Sequence, residues 1–360
     1  MKKGCLLLAV IGAVASMAFI STATVAATPS KSLTVAVFGD WPYSTSLLTN
    51  APLLYNSVNN DPDVSLVIHV GDIHSGSMPC TGAGLNPIPA GAVPGWNQGV
   101  FDIFQQFKDP VVYTPGDNEW TDCHKKKEFS SGAPLNELAV VRSLFFPNPG
   151  VTLGGAGKEV ESQADEFEEE HPTDAQFVEN VMWKQSQVVF VTLNVPGSNN
   201  DGLPWSGIFL NEDARKKEVT ERNAANLRWL AKAFHKAKKA AGMVIAIQAN
   251  MWDPEAVATG GDGLDGYDVF VQELAKQAVA FGRPILLLNG DTHIFGADQP
   301  LADATNATWG IHKQTQVVPN LTRITVQGST NTPNEWLKLT IDPSSANVFT
   351  WSNVCYLACP

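Results

Sequence analysis

Six short runs of apolar and β-branched residues, each ending in a polar turn, punctuate the chain at 33–38, 65–70, 111–114, 188–194, 243–249 and 284–289. Their near-continuous apolar character, rather than strict alternation, predicts strands covered on both faces. Helical spacing fills the intervals at 47–59, 98–107, 212–241 and 267–281. The clearest case is 212–241, where Leu227, Leu230, Ala231 and Phe234 recur on one face and Gly242 stops the helix. From Val317 to Trp351 apolar and polar positions alternate, which predicts antiparallel strands with a turn at 342–345. No internal repeat interrupts this order. The pattern is α/β with a late antiparallel portion.

The N-terminus reads as an address. Lys2 and Lys3 precede an apolar run over 6–20, and small residues follow at Thr24, Val25, Ala26 and Ala27. This is the layout of a secretory signal peptide over 1–26, removed in the mature chain. A membrane anchor needs an apolar span of ~20 residues, so none is expected after removal. The expected location is secreted or periplasmic. Cys5 leaves with the signal, and Cys80, Cys123, Cys355 and Cys359 remain. An even count in an exported chain predicts disulfides, with three pairings open.

Charge narrows the partners. The formal net charge is −12, and losing Lys2 and Lys3 takes it to −14, because the signal contains no acid. A nucleic-acid-binding face is basic, so that partner class is set aside, as is a large polyanionic substrate. A small phosphate ester drawn in by a metal remains compatible. Two stretches read as loop insertions: 75–94, rich in Gly and Pro, and 154–174, whose dense acids predict a solvated face.

Four of the predicted strands end in Gly-Asp: Gly39-Asp40, Gly71-Asp72, Gly116-Asp117 and Gly290-Asp291. One such pair is an ordinary turn dipeptide. Four, each at a strand end, send four carboxylates to the C-terminal edge where open α/β sheets bind ligands. Converging carboxylates repel one another unless a cation balances them, so the pattern points to a metal. His293 follows Asp291, and His74 follows Asp72, each by two residues. His69 lies inside a strand and reads as a packed core histidine.

This order of motifs resembles the calcineurin-like metallophosphoesterase family, which includes purple acid phosphatases. The resemblance runs from Asp40 to the C-terminal strands and implies a four-layer αββα sandwich of two mixed β-sheets, one domain over 27–360. Asp40 matches the family's first aspartate, Asp72 its metal-bridging one and His293 its last histidine. The sequence departs from the pattern elsewhere. Pro42 stands where the first histidine would be, and the third motif reads Gly116-Asp117-Asn118-Glu119. Gln248 and Asn250 end the strand that would carry a lone histidine, and Asp291 replaces the first histidine of the last motif.

The resemblance implies metal ligands at Asp40, Asp72, Asp117, Asn118, Gln248, Asp291 and His293, with Asp72 bridging. His74 and Asn118 are the catalytic candidates, His74 for protonating the leaving oxygen. Two divalent ions are expected, and the oxygen-rich set favours Mg²⁺, Mn²⁺ or Ca²⁺ over zinc or iron. Ions ~3.5–4 Å apart would activate a hydroxide for in-line attack. The expected activity is hydrolysis of small phosphomonoesters or phosphodiesters. The rival expectation, raised by the missing histidines, is a non-catalytic ligand- or partner-binding protein on the same scaffold.

Overall fold

A computed structural model describes Met1 and residues 31–80 and 93–360; the expected signal peptide, Cys5 and most of the 75–94 stretch lie outside the described residues. Two β-sheets lie face to face. The first contains β1 (Leu33–Phe38), β2 (Val64–His69), β3 (Val111–Tyr113), β11 (Asn334–Ile341) and β12 (Phe349–Leu357), in the order β12-β11-β1-β2-β3. The second contains β4 (Glu161–Ser162), β5 (Val181–Gln185), β6 (Val188–Thr192), β7 (Gly242–Ala246), β8 (Ile285–Asn289), β9 (Gly296–Asp298) and β10 (Leu321–Thr325), in the order β4-β5-β6-β7-β8-β10-β9.

Both sheets are mixed. β1, β2 and β3 run parallel, as do β6, β7, β8 and β10. Parallel neighbours need a crossover, and helices supply it. Ala51–Asn59 joins β1 to β2, Trp96–Phe104 lies between β2 and β3, Glu212–Lys236 links β6 to β7, and Asp268–Phe281 links β7 to β8.

The continuous apolar runs are explained by burial on both faces. In β8, Leu286 and Leu288 point into the layer shared by the sheets, where Val35, Val37, Leu337 and Leu339 meet them. Ile285 and Leu287 point the other way, onto Trp229, Leu230, Phe270 and Leu274 of two outer helices. Ala36 and Phe38 of β1 turn outward onto Leu54, Val100 and Phe104. The result is helix, sheet, sheet, helix, as the family resemblance implied.

Three features differ from the sequence reading. β10 joins β8 in parallel, so only β11 and β12 of the tail form the expected antiparallel hairpin. The helix Pro134–Phe145 and strand β5 were not anticipated. The acidic run is also only partly solvated. Asp174 and Glu166 pair with Arg228 and Lys232, and Glu161 with Lys236, three positions spaced by four on one face of Glu212–Lys236. Glu168, Glu169 and Glu170 remain exposed.

Cys80 is bonded to Cys123 and Cys355 to Cys359, each with Cα atoms 5.7 Å apart. Among the described residues no helix is long and apolar enough to cross a membrane.

Candidate metal centre

The strand ends converge. Asp40 follows β1 and Asp72 follows β2, and the chain adopts left-handed backbone at both, with φ of 49° and 59°. Asp291 and His293, after β8, do the same at 78° and 62°. Such conformations cost a non-glycine residue on the order of 1–3 kcal/mol and persist only where surroundings enforce them. Here main-chain bonds lock the turns: Asp40 N–H donates to Gly71 O at 2.9 Å, and Asp291 N–H donates to the Asp40 carboxylate at 3.0 Å.

Close approach explains two of the motif glycines. A Cβ at Gly116 would overlap the Asp72 carboxylate, and one at Gly290 would overlap that of Asp40. The Gly-Asp pairs therefore interlock, the glycine of one motif making room for the acid of another.

Oxygen and nitrogen donors of Asp40, Asp72 and His293 lie within 4.8 Å of one another. His293 Nε2 is 3.5 Å from Asp40 Oδ1. The Tyr43 hydroxyl joins them, 3.3 Å from Asp40 Oδ1, 3.0 Å from Asp72 Oδ2 and 3.3 Å from His293 Nε2. Neighbouring ligands around a small divalent ion with bonds of ~2.0–2.2 Å stand about 3.0–3.5 Å apart. The His293–Asp40 spacing and those to the Tyr43 hydroxyl fall in that range, and the group is compact enough to share one ion.

The electrostatics suit a cation, which would let these buried acids ionise. Burial pushes Asp40 up to about 8, with Asp117 adding repulsion, although the Asp291 N–H pulls the other way. Burial, then the neighbouring acids, drives Asp72 and Asp291 well above the ordinary carboxylate range. Asp117 is also raised, by burial first. Among the described residues none of these four carboxylates has a salt bridge to lysine or arginine.

A second ion is less well provided for. Asp117 and Asp291 approach each other across Gly197, whose added Cβ would lie 2.9 Å from Asp117 Oδ1 and 2.8 Å from Asp291 Oδ1. The amides expected beside them present their nitrogens to the carboxylates. Gln248 accepts Gly197 N–H through Oε1, which turns its Nε2 toward Asp72 at 3.2 Å and Asp117 at 2.9 Å. Asn118 Nδ2 faces Asp72 Oδ2 at 2.9 Å and the Tyr43 hydroxyl at 3.1 Å. An N–H cannot coordinate a cation. In this structure both side chains donate to the carboxylates, and service as ligands would require their oxygens to turn toward the ion.

His74 is also placed differently. Its ring is buried, bonds the Ser75 carbonyl at 3.1 Å through Nδ1, and makes no described bond to the site carboxylates. Burial lowers its pKa to about 4, so near neutral pH it carries no imidazolium proton to give. Glu119 turns inward, accepting from Tyr113 and Gly116 N–H at 2.6 Å each, and braces the third turn. Asn250 N–H donates to Asp291 Oδ2 at 2.9 Å and orients it. His69 is fully buried, as its strand position implied.

The sequence reading passed over Tyr43, Ser198, Lys125 and Lys127. Ser198 arrives on a left-handed turn after β6, with φ positive from Ser198 through Asp201, and donates to Asp117 Oδ2 at 2.7 Å. Tyr43 was within reach of sequence reasoning, three residues after Asp40 in the same turn. So was the lysine run 125–127, a basic cluster in an acidic chain just after the third motif.

Residues 33–295 match the calcineurin-like phosphoesterase family. The chain belongs to that family. No curated protein matches it. Among solved structures, it is similar to GAP50, described as the anchor in the inner membrane complex of Plasmodium, with 11% identity, 90% of this chain and 89% of that chain covered, and a TM-score of 0.42.

Proposed function

We propose that this member of the family hydrolyses small phosphoesters with one divalent ion held by Asp40, Asp72 and His293, and with Tyr43 beside them. The observation that carries the reading is the convergence of those donors at a buried sheet edge, where an ionised carboxylate is costly without a cation. A bound divalent ion would supply Lewis-acid polarisation of the phosphoryl group and activation of a water. The donors are oxygen-rich, which favours Mg²⁺, Mn²⁺ or Ca²⁺.

The protein's own contribution is positioning. Asn118 and Gln248 hold Asp72 in place by donating to it, and Asn250 does the same for Asp291. Beside the centre lies a cavity of about 300 Å³, lined in part by Asp117, Ser198, Asn250, Tyr267 and Asp291. That volume suits a small ester. Two disulfides suit an oxidising compartment, and with the N-terminal address they support an exported enzyme.

A second reading, a non-catalytic binding protein on this scaffold, is favoured by one feature. The amides and the tyrosine already satisfy much of the carboxylate hydrogen bonding. Elemental analysis of protein purified without chelator, followed by assay on p-nitrophenyl phosphate and bis(p-nitrophenyl) phosphate, separates the two. Near-stoichiometric divalent metal with turnover that vanishes in Asp72→Asn is the expected result. Absence of metal and turnover after incubation with Mn²⁺, Mg²⁺, Ca²⁺ and Zn²⁺ would overturn the enzyme reading.

A further inference from the structure

Among the described residues no lysine or arginine pairs with Asp40, Asp72, Asp117 or Asp291, so a positive side chain facing an anionic ligand has to come from the cavity wall. Two lysines come closest, and their surroundings differ. Lys125 lies between the turns Thr121–His124 and Lys126–Glu128, and Lys127 lies within the second; the Cys80–Cys123 bond ties the first to the chain after the second motif.

Lys125 is fully engaged. Its ammonium contacts Ser198 Oγ at 2.8 Å, Asp122 Oδ1 at 3.0 Å and Asp262 Oδ2 at 3.1 Å. An ammonium has three N–H donors, so none is left over.

Lys127 is placed differently. It pairs with Asp122 Oδ2 at 2.8 Å, and Asp122 is wholly buried while the Lys127 side chain is 51% exposed. The same acid thus anchors one side of the ammonium and leaves the rest open. Lys127 lines the cavity that also touches Asp117 and Asp291. It stands close to Asn118 as well: an added Cβ on Gly76 would meet Asn118 Oδ1 at 2.5 Å and Lys127 Nζ at 3.2 Å. Asn118 in turn donates to Asp72. The ammonium therefore reaches the cavity wall one side chain away from the proposed ion.

Its charge is secure. Burial pulls its pKa down, but Asp122 and then Asp117 more than offset that, holding it above the ordinary lysine value.

We infer that Lys127 binds the phosphoryl oxygens of the ligand in this cavity. This rests on the phosphoesterase reading for the identity of the anion. A lone ammonium beside acids suits one phosphoryl group rather than a polyphosphate, whose further charges would meet Asp253, Glu255 and Asp262 on the cavity wall. The preferred ligand class is a phosphoester carrying a single phosphoryl group.

The test measures binding of inorganic phosphate by calorimetry to the metal-loaded protein, with metal content and thermal unfolding recorded for each variant. Lys127→Met should weaken phosphate about 10- to 100-fold, the loss of one charge-assisted hydrogen bond, at unchanged metal content. Lys127→Arg should stay within a few-fold of the parent, which a purely structural role for the Asp122 pair would not predict for binding alone. Wild-type phosphate affinity in a folded Lys127→Met overturns the inference. Lysine-dependent phosphate binding by a parent protein that turns over no phosphoester keeps the inference and sinks the hydrolytic reading. A metal-loaded parent that binds no phosphate sinks the inference, whatever its turnover.

Discussion

Gln248 stands between Asp72 and Asp117, its amide nitrogen 3.2 Å from one carboxylate and 2.9 Å from the other. The neutral N–H pair partly offsets a repulsion that a cation would cancel. Replacing it with a third acid removes that screen. Gln248→Glu should lower stability by about 1–3 kcal/mol in the presence of EDTA, the cost of leaving buried polar groups unsatisfied. Added Mn²⁺ should recover most of the loss, because ligand binding to the native state alone stabilises it. Thermal unfolding with and without metal checks both; a variant as stable as the parent in EDTA contradicts the arrangement.

Acid should destabilise the protein through His69. Nδ1 accepts from Gly71 N–H at 3.2 Å and Nε2 faces the Trp41 carbonyl at 3.0 Å, which leaves no acceptor for a second ring proton. Burial drops the pKa from 6.5 to about 3. Between those values the unfolded chain binds a proton that the folded one does not, so stability falls as pH drops from 6.5 toward 3. The limit is roughly 5 kcal/mol for a shift of this size. His69→Gln keeps one donor and one acceptor but cannot titrate. Urea unfolding at pH 7 and pH 4.5 should show a smaller loss in the variant, and equal losses would contradict this role.

Asp40 and Asp72 were legible because an apolar strand followed by Gly-Asp has few other readings, and burial on both faces identified the strands themselves. β8 was found almost to the residue for that reason. Tyr43 and Lys127 carried a sequence signal, a place in the first turn and in a basic cluster, but their particular contacts close only in three dimensions. Tyr43 meets His293 250 positions away. Amide orientation was equally hidden: the direction of Gln248 is set by Gly197 N–H, a contact spanning 51 positions. β5 escaped because Lys184 and Gln185 break its apolar run near the sheet edge. The parallel partner of β10 escaped because alternation indicates a strand without indicating its direction.

The two disulfides should differ in worth. Cys80 and Cys123 are 43 positions apart, and Cys355 and Cys359 only 4. In the chain-entropy account the longer closure stabilises by about 4 kcal/mol and the shorter by about 2. The pair Cys80→Ser/Cys123→Ser should therefore lower the urea midpoint more than Cys355→Ser/Cys359→Ser. Equal effects would mean that the denatured chain is not the state the long bond acts on.

Gly116 offers the sharpest test of the interlocked motifs. A methyl there would overlap the Asp72 carboxylate, whereas a Cβ on Gly99, within the helix Trp96–Phe104, meets nothing nearer than Leu48 at 3.7 Å. Gly116→Ala should displace Asp72 and reduce divalent metal content at least tenfold, since misplacing one ligand by an ångström removes a bond on which the proposed site depends. Gly99→Ala should leave the metal in place and, in a helix interior, add stability on the order of 0.5–1 kcal/mol. Elemental analysis of both variants, alongside circular dichroism to confirm the fold, decides the matter. Full metal retention in a folded Gly116→Ala would show that Asp72 is free to move, and the centre would then have to be built without it.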